Sequence, residues 1–307
     1  MSAPPVPPAG DHGGDGAAVA MALGLDPADV LDLSASLNPF APDPVPVVAR
    51  SASAVGRYPD AGAASAALAA AIGVEPERLV LTNGGAEAIA LVAAELARGA
   101  IVEPEFSLYR RHLTVDPAAP RWRSNPSNPL GRLAGPDEDA GVWDEAFYPL
   151  ATGAWTRGDE DAWRLGSLTK LWACPGLRLG YVIAPDAAAA DRVRERQPRW
   201  AVNGLAIAAV PELLARTDLT SWAAAIRDLR NDLAGGLVAL GLAIVDTDVN
   251  WLLVDGTGLR ERLAPHGIVV RDCTSFGLAG TVRVALPPPG ELDRVLAAFA
   301  AAATCPP

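Results

Sequence analysis

The strongest constraint on this chain is the rhythm of residues 78 to 184, where short apolar runs alternate with helical or proline-punctuated stretches. RLVLTN (78–83), GAIVEP (99–104), PRWR (120–123), GVWDEAF (141–147), WRLGS (163–167) and RLGYVIA (178–184) read as strands. Residues 86–97 and 107–113 carry helical spacing between them. Strands spaced this way, separated by helices or crossover loops, predict a largely parallel sheet in an α/β domain. Helices follow over 186–197, 204–215 and 218–239, the last ended by Gly241. WLLVD (251–255), IVVRD (268–272), TVRVAL (281–286) and a helix over 290–302 predict a smaller α+β unit, joined by the N-terminal segment.

That N-terminal segment opens with a Pro/Ala-rich stretch, residues 1–10, read as a disordered or extended arm. AAVAMALGL (17–25) is helical, and VLDLSASLNPF (30–40) begins as a strand and breaks at Asn38-Pro39. A Pro-rich connection leads to an Ala-rich helix near 61–72, and no internal repeat is present.

At 307 residues the chain can bury a large domain, or a large and a small one, without disulfides or metals. A net charge of −11 argues against nucleic acid as a partner, since phosphate-backbone binding needs a basic footprint. It does not exclude small anions held by a few arginines in a cleft. Cys174, Cys273 and Cys305 are dispersed and form no CxxC pair, and His12, His112 and His266 are equally scattered, so no metal site is expected. The N-terminus has no basic region followed by an apolar core, and no apolar run reaches membrane-spanning length. A cytoplasmic location is the expectation, with no membrane partner.

Four stretches carry chemistry. TNGGAEA (82–88) follows a predicted strand and opens a helix, where outward-facing amides suit a phosphate. It lacks the third glycine of a dinucleotide fingerprint, and a tight structural turn is as good a reading. VWDEAF (142–147) puts Asp144 at a strand end, where α/β sheets bind ligands, although an exposed helix cap gives the same pattern. SNPSNPLG (124–131) is a proline-punctuated turn that aims Asn128, and by itself it reads as an ordinary loop. SLTKLWACPGLRLGY (167–181) gathers Ser167, Thr169, Lys170 and Arg178. A lysine in apolar surroundings becomes a usable nucleophilic amine, and hydroxyls with an arginine beside it make a phosphate clamp. A surface lysine with a nearby ion pair is the weaker reading there.

The order of these motifs is that of fold-type I pyridoxal-phosphate enzymes: glycine turn, Asn loop, strand-end Asp, then Ser-x-Thr-Lys with Arg eight residues on. The chain resembles the class I/II aminotransferase family over nearly its whole length. It is most similar to the branch holding threonine-phosphate decarboxylases and histidinol-phosphate aminotransferases. HGGDGAAVAMALGL (12–25), LDLSASLNPF (31–40), RYPD (57–60), EPEFSLY (103–109), DEAF (144–147) and RDCTSFGLAGTVRVAL (271–286) carry this closer resemblance.

The resemblance implies a fold-type I transferase with pyridoxal 5′-phosphate as cofactor. It divides the chain into an N-terminal arm and segment (1–40), a large cofactor-binding domain (41–203) and a small C-terminal domain with its linking helix (204–307). It further implies that Lys170 forms the Schiff base with the cofactor aldehyde and then moves protons. Asp144 pairs with the pyridinium nitrogen, and Asn128 hydrogen-bonds the phenolic oxygen. Gly85, Ala86, Ser167, Thr169 and Arg178 hold the phosphate, with Tyr58 contributed by a neighbouring subunit of a homodimer whose active sites lie at the interface. Phe106 or Tyr109 lies against the ring. Arg283 takes the substrate carboxylate, and Arg271, Asn38 and the His12-Gly13 turn contact the far end of a small phosphorylated amino substrate.

Two departures from the family pattern stand out, and the first bears on the reaction. Related aminotransferases usually carry Tyr where this chain has Phe147, whereas the decarboxylase-like members tolerate Phe. The segment between His112 and Asn125 is also short, so peripheral elements are trimmed. Decarboxylation of L-threonine-O-3-phosphate, as in cobalamin biosynthesis, is therefore the first expectation, and transamination of a substrate such as histidinol phosphate the alternative. A noncatalytic cofactor-binding sensor is disfavoured by the intact Lys170, Asp144 and Asn128 set and by the lack of an appended basic segment.

Overall fold

The computed structural model of the chain describes residues 5–304; residues 1–4 of the expected arm, and Cys305, lie outside the described residues. The chain forms two compact units. One comprises Ala41–Asn128 with Arg132–Ala223; the other comprises the N-terminal segment through Phe40, the short insert Pro129–Gly131, and the chain from Ala224 onward.

The N-terminal part of the second unit supplies α1 (Gly16–Leu23), closed by Gly24 in the left-handed region, and β1 (Leu31–Leu33). The larger unit then runs α2 (Val45–Arg50), α3 (Gly62–Ile72), β2 (Leu79–Thr82), α4 (Gly85–Leu96), β3 (Arg98–Ile101), α5 (Leu108–His112), β4 (Thr114–Val115) and β5 (Arg121–Ser124). It continues through β6 (Val142–Asp144), α6 (Tyr148–Thr152), β7 (Trp163–Ser167), the single turn α7 (Leu168–Leu171), β8 (Gly180–Ile183), α8 (Ala187–Arg196) and α9 (Gly204–Ala215).

The seven strands of this unit form a sheet in the order β2-β8-β7-β6-β5-β3-β4. β4, β3, β5, β6 and β7 are parallel, and β8 runs antiparallel between β7 and β2. That reversal follows from the connection 168–179, which holds one helical turn and no crossover helix; a parallel return needs a longer path over the sheet face. β2, β7 and β8 are buried at every residue, as expected of strands covered on both faces. Val80, Ile89, Val92, Tyr109, Trp122, Val142, Leu165, Val182 and Val193 pack into one core between the sheet and its helices.

α10 (Leu219–Ala239) leads from the first unit into the second, which adds β9 (Ile244–Val245), β10 (Trp251–Asp255), α11 (Leu259–Leu263), β11 (Ile268–Asp272), β12 (Thr281–Ala285) and α12 (Leu292–Thr304). Its sheet has the order β1-β11-β12-β10-β9, with β1 parallel to β11 and the other pairs antiparallel. Trp251, Leu252, Val254, Val269, Val284 and Phe299 are buried in it.

The expected α/β class and mostly parallel large sheet are present, and most elements begin within two residues of their expected place. The sequence patterns did not show α2, β4 or β9, which are too short to produce a period. GVWDEAF stops being a strand at Asp144, and RLGYVIA starts only at Gly180 because Arg178 takes a left-handed conformation (φ 54°). No helix of the described residues is long and apolar enough to cross a membrane.

Candidate active site

The carboxyl ends of β5, β6 and β7 lie side by side, with Ser124 opposite Asp144 and Asp144 opposite Leu165 in register. Ligands of α/β sheets bind at this edge, where loops diverge and backbone groups are unpaired. Asp144 Oδ2 accepts the Tyr109 hydroxyl at 2.8 Å and Oδ1 accepts the Ala146 N–H at 3.1 Å. Burial pushes the Asp144 carboxyl above its ordinary value, while these two hydrogen bonds pull it back. A buried carboxylate held by neutral donors is poised to gain a cationic partner.

The Asn128 turn is fixed beside it. The Asn128 N–H donates to Ser124 Oγ at 2.8 Å, the Asn125 N–H donates to the Asp144 carbonyl at 2.8 Å, and Asn125 Oδ1 accepts the Ala134 N–H at 2.9 Å. The turn is thus clamped from both ends, and Asn128 itself is buried.

The glycine turn and the lysine stretch meet in space. Gly84 precedes α4 with φ 81° and ψ 171°, and no side chain caps the helix's first amides. A Cβ on Gly84 would meet Arg178 Nη2 at 2.4 Å, and one on Gly85 would meet Ser167 Cβ at 3.7 Å. Gly180 allows this approach from below, since its own Cβ would fall 2.8 Å from Gly85 N. Ser167 Oγ and Thr169 Oγ1 are 2.6 Å apart. The helix N-terminus, two hydroxyls and a guanidinium therefore lie together, a donor set that fits a phosphate dianion. Lys170, half-buried on α7, has its Nζ 5.8 Å from the centroid of the buried Phe147 ring.

In the other unit, Arg271 and Arg283 face each other across β11 and β12 and are 2 % and 7 % exposed. The Arg283 guanidinium lies 4.9 Å from the Trp251 ring centroid, its Nη2 donates to the Ser34 carbonyl at 3.4 Å, and desolvation lowers its pKa to about 10. The His12-Gly13 turn packs on the same Ser34: the Gly14 N–H donates to Ser34 Oγ at 2.7 Å, and a Cβ on Gly13 would strike the Ser34 carbonyl. Asn38 is buried, and its Oδ1 accepts the Phe40 N–H at 3.0 Å.

Comparison with known proteins gives the same direction. The profile of aminotransferase class I and II matches residues 140–299. The threonine-phosphate decarboxylase of Salmonella typhimurium is 31 % identical over 94 % of this chain and 95 % of its own length. The chain belongs to the aminotransferase class I and II family. Histidinol-phosphate aminotransferase 1 of Nitrosococcus oceani is 29 % identical over 52 % of this chain and 50 % of that protein. The crystal structure of the histidinol-phosphate aminotransferase from Clostridium acetobutylicum shares the fold, with a TM-score of 0.78 at 22 % identity over 88 % of this chain and 98 % of that one.

As a class I and II aminotransferase homologue, the chain is a pyridoxal-phosphate enzyme of fold type I. Within the larger unit the structure brings Gly85, Ser167, Thr169 and Arg178 together, and it links Tyr109 to Asp144. Two side chains of the expected set have partners within the fold. Tyr109 is fully buried and donates its hydroxyl to Asp144, while Phe106 is the half-buried aromatic of that segment. Arg271 donates to the carbonyls of Gly10 and Asp11 and to Ser275 Oγ, so its guanidinium holds the N-terminal segment. Tyr58 is 76 % exposed and stacks on Trp200 with ring centroids 4.5 Å apart.

Sequence reasoning missed Gly84, Glu105 and Ser124. The doubled glycine of TNGGAEA was a signal for the first. Glu105 and Ser124 carry none, because their importance lies in partners far away in sequence.

Proposed function

We propose that this enzyme decarboxylates a phosphorylated amino acid, L-threonine-O-3-phosphate, as a step of cobalamin biosynthesis. The observation that carries the reading is the end-to-end match to the Salmonella threonine-phosphate decarboxylase. Phe147 in place of the tyrosine of related aminotransferases points the same way.

The fit to pyridoxal phosphate rests on the donor set: an acid for the ring nitrogen, a buried amide side chain, a phosphate-sized cradle and a lysine on the turn between them. When bound, the cofactor supplies an electron sink for the pair released at the substrate α-carbon. Lys170 would hold the cofactor aldehyde through its amine, and the same amine would carry a proton to the substrate α-carbon. Asp144 keeps the ring nitrogen protonated, and Tyr109 keeps Asp144 oriented. Asn128 would donate to the phenolic oxygen, and Phe106 would pack against the ring. The amides of Gly85 and Ala86, with Ser167, Thr169 and Arg178, bind the phosphate. Arg283 grips the substrate carboxylate as a bidentate donor. Asn38 and the His12-Gly13 turn, steadied by Arg271, contact the substrate's distal phosphate. Tyr58 reaches the cofactor phosphate of a second subunit in a cytoplasmic homodimer.

Histidinol-phosphate transamination is the second reading, supported by the partial match to the Nitrosococcus enzyme. The two differ in whether the carboxylate or a proton would leave the substrate α-carbon, which the hold of Arg283 on the substrate would decide. The test follows carbon dioxide and cofactor state together, with O-phosphothreonine, O-phosphoserine and histidinol phosphate offered separately. Carbon dioxide release without a keto acid supports decarboxylation, and stoichiometric conversion of the cofactor to its amine form sinks it. A cofactor band abolished in Lys170→Ala but no turnover on any of the three would favour a sensor.

A further inference from the structure

Glu105 lies in EPEFSLY, ahead of the Tyr109 helix, and is 6 % exposed. A buried carboxyl without donors carries a large desolvation cost, and Glu105 meets it mainly through one residue. Its Oε1 accepts the Ser124 N–H at 3.1 Å and its Oε2 accepts the Ser124 hydroxyl, with the Phe106 N–H at 3.3 Å as a third donor. Ser124 passes the constraint on, because its Oγ also accepts the Asn128 N–H at 2.8 Å. The same Ser124 stands opposite Asp144 in the β5–β6 register, and Tyr109, four residues beyond Glu105, donates to Asp144. One hydrogen-bonded cluster therefore connects Glu105 to the turn of Asn128, and a second carboxyl lies close to Asp144.

We propose that Glu105 is a positioning residue for the cofactor ring: it anchors Ser124, and through it the turn that presents Asn128, and its charge acts on the neighbouring Asp144. This rests on the larger unit's pocket being the pyridoxal-phosphate site. Burial pushes the Glu105 carboxyl up to about 8; the Ser124 and Phe106 hydrogen bonds oppose this, and the Asp144 charge adds to it. The groups facing Glu105 are Asp144, Tyr109 and Arg123, and Glu103 accepts the Glu105 N–H at 2.7 Å. On ionising, Glu105 places a second negative charge beside Asp144.

The experiment is a pH titration of the visible absorbance of the purified holoprotein, comparing the native chain with Glu105→Gln and Glu105→Leu. A negative charge favours the protonated, more positive form of the chromophore. Its removal in Glu105→Gln is therefore expected to move the titration midpoint to lower pH, while the amide still anchors Ser124 and the cofactor stays bound. Glu105→Leu loses the anchor too, and its cofactor Kd is expected to rise about tenfold, the worth of one buried hydrogen-bonded contact. A midpoint and a Kd unchanged in both variants overturn the proposal. Should the native protein show no band that Lys170→Ala removes, the cofactor reading itself fails. Glu105 is then judged on the apoprotein, by amide hydrogen exchange over residues 124–128. Faster exchange in Glu105→Leu, rescued in Glu105→Gln, supports the anchoring role, and equal exchange in all three proteins overturns it.

Discussion

Arg178 lies across Gly84, so closely that a Cβ on the glycine would fall 2.4 Å from the guanidinium Nη2. The two residues are far apart in sequence, and both sit in left-handed φ space, Gly84 at 81° and Arg178 at 54°. Gly84→Ala strains the turn and drives Arg178 off the helix N-terminus. We expect a loss of about 1–3 kcal/mol of stability from the backbone conformation. Cofactor affinity should fall by more than that strain explains. Thermal unfolding and cofactor titration of the same variant separate the two effects, and unimpaired cofactor binding would remove Arg178 from the cradle.

Tyr109→Phe deletes the hydroxyl on Asp144 and leaves the ring packed against Trp122 and Phe106. The cost in stability should be about 1 kcal/mol, the net value of one hydrogen bond. Asp144 loses a donor that lowers its pKa, so its carboxylate form becomes harder to maintain in the free protein. The expected readout is a cofactor Kd that weakens at acid pH more than at alkaline pH, relative to the native protein.

Glu145 gives a pH dependence that needs no cofactor. Burial pushes its carboxyl up to about 7 from an unfolded value of 4.5, against hydrogen bonds from the Arg157 N–H and Thr156. Between those values the folded protein retains a proton that the unfolded chain has released. Its contribution is therefore fully present below the unfolded pKa and is lost as pH rises through about 7. The swing is on the order of 3 kcal/mol at most, at roughly 1.4 kcal/mol per unit. Glu145→Gln should flatten the fall in unfolding midpoint between pH 5 and pH 8; an undiminished slope would assign that fall to other acids.

Arg271→Met frees the carbonyls of Gly10 and Asp11, while Arg260, which binds the Pro7 carbonyl and Asp15, and Ser34, which accepts the Gly14 N–H, still hold that segment. We expect faster proteolysis near residues 10–13 and a stability loss of about 1–2 kcal/mol. Limited digestion followed by mass spectrometry reads the cut sites directly. Cleavage no faster than in the native protein would show that the other contacts secure the segment without Arg271.

Most of the large sheet was legible because each strand carries its own apolar run and each helix its own period. WRLGS occupies the expected residues to the letter there, as WLLVD and IVVRD do in the smaller sheet. Strand-end position and a proline turn made Asp144 and Asn128 candidates, and the family resemblance gave them, with Lys170, their implied roles. What failed to show was partnership. Nothing in EPEFSLY says that Glu105 will find Ser124, or that the tyrosine will turn inward to Asp144 while Phe106 stays half-buried. The sign of β8 was equally hidden, since RLGYVIA reads the same in either direction.

The sequence by itself determined the fold class, which rests on local periodicity, and the order of its motifs, which is what carries the family resemblance. Tertiary structure alone decided which of those groups are already engaged: Tyr109 by Asp144, Arg271 by the N-terminal backbone, Glu105 by Ser124. A side chain's burial and hydrogen-bond partners depend on segments brought together by packing, and it is burial and partners that set what a charged or polar group can do.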